Sequence, residues 1–327
     1  MSSSYFYSET AFHHEGDFDY MISLIDEVAK SNCQGIKFQI LTDIHDFVSR
    51  NHSSFSELSK YCFSEEQWNE LLIHTANKGL DIIGMPLNLR AVDLLVNHYP
   101  KYVEIHSVSF NDYDLFEHIK EQDFPMILGV GGRTVDEIKS LVNYFDSKVE
   151  VLMIGFQSFP SDLEKIRMGK IQILKEMFPK IEIGYADHTS FEDEMAMKSN
   201  EYARLLGATI FEKHVTLEEG SDRVDSASAI SVAKFDQLID RIRYIEEFII
   251  PDGKSFLHTP EEVVYRNRQL KIVAKRDLKK YQVITKDDLT LKMIDVDHGF
   301  TSKSDLIDSV LLEDVEADQP ILNDHLK

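Results

Sequence analysis

The stretch EIGYADHTSFEDEMAMKSNEYARLLGATIFEKHV, residues Glu182–Val215, holds two short apolar runs separated by a helix-like segment. Each run ends at a histidine next to a charged residue, His188 after Asp187 and His214 after Lys213. The same alternation of an apolar run and a helix-like stretch recurs along the chain to about residue 250. The apolar runs are Ser4–Phe12, Gly35–Ile40, Leu80–Met85, Tyr102–Ser107, Pro125–Gly131, Glu150–Phe156, Glu182–His188 and Ala208–Val215.

This alternation predicts a (β/α)8 TIM barrel, because strands that alternate with helices build a parallel sheet and eight such units close it. The carboxyl ends of the strands then share one face, where the loops form the active site. The sequence therefore predicts that polar side chains far apart in the chain converge at one mouth. The polar residues at or just past the run ends are Glu9, Lys37, Gln39, Ser107, Arg133, Gln157, His188 and His214.

The pattern changes near Ile250. We predict a barrel domain over residues 1–250, a polar linker over 251–267 and a small β-rich domain over 268–327. Within the last of these, Lys271–Ala274 and Val283–Ile284 are short strand-like runs.

The composition excludes several classes of function. Asp plus Glu number 57 against 35 Lys plus Arg, a net charge of -22 that disfavours nucleic-acid binding. An anionic substrate would need local cations, for which Lys37, Arg133 and Lys213 are the candidates on the catalytic face.

No run approaches the roughly 20 apolar residues that span a membrane, and the polar start Met1–Ser4 does not resemble a signal peptide. The two cysteines, Cys33 and Cys62, have neither metal-type spacing nor the number expected of a disulfide framework. These features together predict a cytoplasmic protein.

His188 and His214 end the seventh and eighth runs, so they are predicted to be neighbours that could hold one divalent metal. Hydrogen bonding within the barrel rim is the alternative. Alternation along a strand turns Glu212 and His214 inward and Lys213 outward unless a bulge redirects the lysine. A structural salt bridge and a substrate contact therefore both remain open for Lys213.

Lys37 and Gln39 share one face of the second run, and an inward lysine requires an anionic ligand or a carboxylate partner such as Glu9. The glycine-rich stretch Gly129–Thr134 leads into a helix and would suit an anion. A tight turn without a ligand explains that stretch equally simply.

In their order and spacing, these motifs resemble the sialic acid synthase family, which condenses phosphoenolpyruvate with an acylamino sugar to give nonulosonic acids. The residues after Lys271 resemble the antifreeze-like domain that such synthases carry. The matching motifs are Glu9 with His14 and Gly16, Gly35-Ile36-Lys37-Phe38-Gln39, Ile105-His106-Ser107, Asp187-His188-Thr189 and Glu212-Lys213-His214.

The resemblance implies roles for the matching residues. His188 and His214 would bind Mn²⁺ or Mg²⁺, Lys37 would help bind phosphoenolpyruvate, and Glu9 would act as an acid or base, with Glu212 orienting water. It also implies a homodimer in which the antifreeze-like domain covers the partner's barrel. Further substrate contacts are implied for Gln39, Ser107, Arg133, Gln157, Lys213 and either Asp222 or Asp225.

The chain departs from the family at the anion site, where Phe124 stands in place of a lysine, and Met293 stands in place of an arginine of the last domain. Arg133, or else Arg90, is the predicted replacement for the lysine. The first functional hypothesis is a phosphoenolpyruvate-dependent synthase. The alternatives are a metal-dependent aldolase or lyase that lost phosphate recognition, and a catalytically silent sugar-binding relative.

Overall fold

The computed structural model describes residues 3–155, 158, 160–250, 256–296 and 298–327. The chain forms two compact units, Met1–Ile250 and Pro251–Lys327.

The predicted TIM barrel is confirmed in the first unit. Neighbouring strands pair in parallel in chain order, and β8 pairs with β1 so that the sheet closes on itself. The short β9, Ile230–Ser231, pairs in parallel with the end of β8. The barrel strands are β1 Tyr5–Glu9, β2 Gly35–Ile40, β3 Asp81–Pro86, β4 Tyr102–Ile105, β5 Met126–Gly129, β6 Val149–Ile154, β7 Glu182–Asp187 and β8 Ile210–Thr216.

Helices follow the strands and cover the outside of the barrel. Some are single turns, such as α2 and α7. The helices of this unit are α1 Phe18–Val28, α2 Phe55–Leu58, α3 Glu65–Asn77, α4 Leu89–Val96, α5 Tyr113–Lys120, α6 Val135–Phe145, α7 Leu163–Ile166, α8 Lys170–Met177, α9 Met195–Leu206 and α10 Val232–Phe248.

Local sequence signals fix several helix ends. Ser64 and Gln67 form a capping box at the start of α3, and Thr134 and Glu137 form another at the start of α6. Helix α10 has the bounds that its apolar spacing predicts, because one continuous face is buried along its length.

The interior of the barrel is apolar toward the amino ends of the strands, where buried aromatic and aliphatic side chains fill it. Glu9 ends β1 and His214 lies near the end of β8, at the carboxyl end of the barrel where this fold places active sites. The apolar interior residues are Tyr7, Ile83, Tyr102, Ile127, Val151, Met153, Ala186 and Ile210.

The second unit is small and built around β10 Lys271–Ala274 and β11 Leu289–Lys292, which pair antiparallel. The predicted strand at Val283–Ile284 is reduced to a single bridge between Val283 and Val310. Helix α11, Pro260–Arg266, lies within the segment predicted as a linker. In the part of the chain that the structure describes, no helix is both long and apolar enough to cross a membrane.

Candidate active site

A cavity of about 320 Å³ opens at the carboxyl end of the barrel strands. Its lining combines charged and polar side chains with the glycines of the β5 loop. The lining residues are Glu9, Lys37, Gln39, Met85, Glu104, His106, Ser107, Gly129, Gly131, Met153, Ile154, Ala186, His188, Glu212, His214 and Asp225.

Strand register brings the central side chains together. Glu9 at the end of β1 is paired with Lys37 of β2 on one side and with His214 of β8 on the other. Ala186 and Glu212 are partners between β7 and β8, one layer deeper. Residues from both ends of the barrel sequence therefore meet across the β1–β8 seam.

Lys37 is the electrostatic centre of the cavity. Its Nζ atom lies 2.7 Å from Oε2 of Glu212 and 3.1 Å from Oε2 of both Glu9 and Glu104. Burial disfavours the ammonium ion, but Glu104, Glu212 and Glu9 outweigh burial and raise the pKa of Lys37. Lys37 is therefore a permanent cation held by three carboxyl groups.

The three carboxyl groups that surround Lys37 differ in the direction of their pKa shifts. Burial would raise the pKa of Glu9, but Lys37, Glu212 and His214 hold the pKa of Glu9 well below its usual range. Burial, with the charge on Glu9, raises the pKa of Glu212 well above its usual range, and burial also raises the pKa of Glu104. Glu9 and Glu212 are thus neighbouring carboxyl groups whose pKa values are shifted in opposite directions, the pattern of an acid and base pair.

His188 and His214 lie side by side at the mouth, with ring centroids 4.7 Å apart and ring planes at 70°. Nε2 of His214 is 3.2 Å from Oε2 of Glu9, and Nδ1 of His188 is 3.1 Å from the Ala186 carbonyl oxygen. Burial and the neighbouring His214 lower the pKa of His188 to about 3, so His188 is neutral at pH 7. A neutral imidazole is the form that binds a metal.

The donor set fits a divalent metal. Ligand atoms of Glu9, His188, Glu212 and His214 all lie within 4.8 Å of one another, and all four residues are buried. Imidazole nitrogens combined with carboxylate oxygens suit divalent first-row metals. The sequence singled out the two histidines, and the structure adds the two carboxylates to the set.

Lys213 does not line this cavity, and its predicted contact with substrate is corrected. Its Nζ atom lies 2.5 Å from Oδ2 of Asp187, and both side chains are fully buried. Asp187 also accepts hydrogen bonds from the hydroxyl groups of Thr189, Ser199 and Tyr185. Strand alternation turns Lys213 to the outside of the barrel, so the structural salt bridge is the arrangement found.

The proposed replacements for the missing lysine are also absent from the cavity lining. Arg133 lies 3.7 Å from Glu137, one turn along, and over the ring of Phe110. Arg90 is exposed at the start of α4, 4.0 Å from Glu65. Both arginines follow their strands by four residues, Arg90 on the surface and Arg133 partly buried against Phe110.

Three other predicted residues do reach the cavity. Gln39 donates a hydrogen bond of 2.8 Å from Nε2 to Oε1 of Glu9, and Ser107 begins a 3-10 turn at the rim. Asp225 lines the cavity in a left-handed conformation with φ of 66°, whereas Asp222 is exposed and does not line it. Burial raises the pKa of Asp225. Gln157 lies outside the described residues.

Sequence reasoning missed Glu104 and His106 as lining residues. Glu104 is 4% exposed, and burial and the charge on Lys37 lower the pKa of His106 to about 4. The signal was present, because Glu104 and His106 alternate with apolar residues in a buried strand and its extension. A carboxylate in such a strand demands a buried partner.

Comparison with known proteins gives consistent results. The NeuB family matches residues 24–252 and the SAF domain matches residues 272–327. N-acetylneuraminate-9-phosphate synthase from Drosophila melanogaster is 24% identical, over 100% of this chain and 96% of its own. N,N'-diacetyllegionaminic acid synthase from Campylobacter jejuni is 24% identical, over 89% of this chain and 91% of its own.

A solved structure extends the likeness to three dimensions. N-acetylneuraminic acid (sialic acid) synthetase from Leptospira borgpetersenii aligns with a TM-score of 0.71 at 22% identity. The alignment covers 81% of this chain and 92% of that one. At this identity the match shows a shared fold.

Proposed function

Because the chain belongs to the NeuB family, we propose that it is a metal-dependent synthase that joins phosphoenolpyruvate to an acylamino aldose and releases phosphate. The observation that carries the proposal is the cluster of Glu9, His188, Glu212 and His214 in one cavity with Lys37. The named relatives that make nonulosonic acids support the same class of reaction.

In the proposed reaction, C3 of the enol attacks the aldehyde carbon, water adds to C2, and phosphate leaves with cleavage of the C2–O bond. An Mn²⁺ or Mg²⁺ ion held by His188 and His214 would supply Lewis acidity for the aldehyde. Glu9, as the ionised carboxylate, accepts the proton of the attacking water. Glu212, whose pKa is raised, would donate a proton to the new alkoxide.

Binding of the two substrates is assigned to different parts of the cavity. Lys37 and the glycines of the β5 loop would receive the enol donor, since Gly129 and Gly131 allow close approach to the backbone. Asp225, Gln39 and Ser107 would bind hydroxyl groups of the sugar. The proposal also includes a homodimer, which analytical ultracentrifugation of the full chain would test.

The deciding experiment measures phosphate release from phosphoenolpyruvate in the presence of acylamino aldoses, with Mn²⁺ and with a chelator. Release that requires both substrates and the metal supports the synthase, and mass spectrometry identifies the nonulosonic acid. The Glu9→Gln variant serves as the inactive control. Metal binding without phosphate release from phosphoenolpyruvate, whichever acylamino aldose is added, would refute the proposal.

A second candidate function is a metal-dependent aldolase or lyase on a sugar acid. The saturation of Lys37 by three carboxyl groups favours it, because such a lysine is a poor phosphate ligand. Formation of pyruvate from a nonulosonic acid, followed with lactate dehydrogenase, would distinguish this activity from synthesis.

A further inference from the structure

We propose that Glu104 is a specificity-determining residue that engages Lys37 and thereby weakens the binding of phosphate groups in this cavity. The inference rests on the proposed function, since it assumes that the enol donor enters the cavity around Lys37. If Glu104 has this role, the cavity recognises the donor substrate mainly through its carboxylate and enol groups, and contacts with the phosphate add little to binding.

The first support is the hydrogen-bonding capacity of Lys37. An ammonium group has three N–H donors. Three carboxyl oxygens surround Nζ of Lys37, one each from Glu9, Glu104 and Glu212, at 3.1, 3.1 and 2.7 Å. Glu104 and Glu212 accept hydrogen bonds from Nζ, and Glu9 lies within ion-pair distance, so a phosphate oxygen at Nζ would compete with all three carboxyl groups.

The second support is the charge of the lining. Among the described residues that line the cavity, Lys37 is the single lysine or arginine, against the carboxyl groups of Glu9, Glu104, Glu212 and Asp225. A phosphate dianion next to Lys37 would pack against carboxyl oxygens that compete with it for the ammonium group. The cavity therefore disfavours phosphate more than a neutral hydroxyl or amide.

The third support is that Glu104 has few other contacts. Glu9 also binds Gln39 and lies against His214, and Glu212 belongs to the metal-binding set. The other hydrogen bond of Glu104 within the described residues is a long one, 3.4 Å from the Tyr7 hydroxyl. Engagement of Lys37 is thus the main interaction of Glu104.

The position of Glu104 also suits control of the donor end. Its Oε1 atom faces Gly129, where an added Cβ atom would lie 3.4 Å away. Glu104 thus stands between Lys37 and the β5 loop, the two parts of the cavity that would otherwise combine to hold a phosphate.

The test compares wild-type protein with Glu104→Gln, which keeps the volume and replaces the carboxyl group with an amide. Inorganic phosphate and phosphoenolpyruvate are titrated calorimetrically into the full chain without added divalent ion, so that Lys37 is the cation being measured. We expect Glu104→Gln to bind inorganic phosphate at least about tenfold more tightly than wild type. Glu150→Gln, an exposed residue of β6, is the matched control and should match wild type.

An affinity for phosphate within twofold of wild type in a folded Glu104→Gln protein would overturn the inference. If that variant does not fold, the test uses wild-type protein alone and compares the binding of phosphoenolpyruvate with that of pyruvate, its phosphate-free analogue. The inference expects phosphoenolpyruvate and pyruvate to bind within about threefold of each other, and a tenfold preference for phosphoenolpyruvate would refute it. Neither titration requires turnover, so the inference and the proposed synthase activity can fail independently.

Discussion

Nε2 of His214 and Oε2 of Glu9 lie 3.2 Å apart, although 205 residues separate them in the chain. The contact crosses the seam between β8 and β1 and joins a metal-binding candidate to the ionised carboxylate of the cavity. A hydrogen-bonded carboxylate orients an imidazole and strengthens it as a ligand.

We expect His188→Ala and His214→Ala each to lower the affinity for Mn²⁺ by at least about 100-fold, since each removes one imidazole from the set. Calorimetric titration or the electron paramagnetic resonance of free Mn²⁺ measures the change. His98→Ala, just past the end of α4 and hydrogen-bonded to Asn69, is the control and should bind the metal as wild type does. Unchanged metal binding in either cavity variant would show that the metal site is elsewhere.

Lys213→Met should destabilise the barrel without acting on substrate binding. It leaves Asp187 buried and without its cation, which typically costs about 3–5 kcal/mol in the free energy of unfolding. Denaturant unfolding measures this cost, and Lys60→Met, which breaks the exposed pair with Glu57, should cost less than about 1 kcal/mol.

Kinetic measurements on Lys213→Met also test whether Lys213 stabilises the fold or binds substrate. Where folded Lys213→Met can be assayed, its KM values should stay near those of wild type. A large rise in KM with unchanged stability would restore Lys213 as a substrate ligand.

Asp225→Asn and Asp222→Asn form a matched pair for the sugar end of the cavity. Asp225 lines the cavity and Asp222 is exposed, although three positions separate them in the same loop. We expect Asp225→Asn to raise KM for the aldose about tenfold or more, by loss of a charge-assisted hydrogen bond. Asp222→Asn should change KM less than twofold. A larger rise in KM for Asp222→Asn than for Asp225→Asn would show that Asp222 contacts the sugar instead.

His14 should make the protein less stable in mild acid. Its ring stacks on Phe63 at 4.6 Å, and its Nδ1 atom accepts the N–H of Gly16 at 3.1 Å. Burial, with His13 and Arg223, lowers the pKa of His14 to about 3, against 6.5 in an unfolded chain. Between pH 6.5 and pH 3, His14 is protonated in the unfolded state but neutral in the folded state. The free energy of unfolding therefore falls as the pH drops from 6.5 toward 3.

The size of this effect at pH 5 is about 2 kcal/mol, from the two pKa values. His14→Phe removes the group and should flatten the pH dependence of the free energy of unfolding by that amount between pH 7 and pH 5. Equal slopes in both proteins would show that His14 titrates normally.

The sequence predicted the barrel well because its signals are local. Gly35–Ile40 and Val232–Phe248 have their predicted bounds, since a compact apolar run and a strong helical periodicity need no distant partner to be read. The strand predicted at Val283–Ile284 is a single bridge to Val310, flanked by backbone hydrogen bonds between Ile284 and the turn at Asp308 and Ser309, because pairing depends on the segment that lies opposite.

The site residues likewise divide into those that the sequence could place and those that it could not. Glu9, Lys37, His188 and His214 could be placed at the mouth from their positions at strand ends alone. Strand alternation indicates that Glu104 is buried, but its role could not be assigned without Lys37, its partner 67 residues away. Arg133 and Arg90 were misplaced because the direction of a side chain just past a strand depends on loop geometry, which composition does not specify.

The closing pair of strands makes the cavity a late product of chain synthesis. β1 leaves the ribosome first, but Glu9 gains His214 and Glu212 only when β8 is complete and docks beside it. Until β8 docks, Glu9 and Lys37 lack the contacts with His214 and Glu212, and a metal ion bound as proposed would lack part of its set of ligands. Capture of Mn²⁺ would therefore report the moment of barrel closure during refolding, a step that contacts of such long sequence separation make slow.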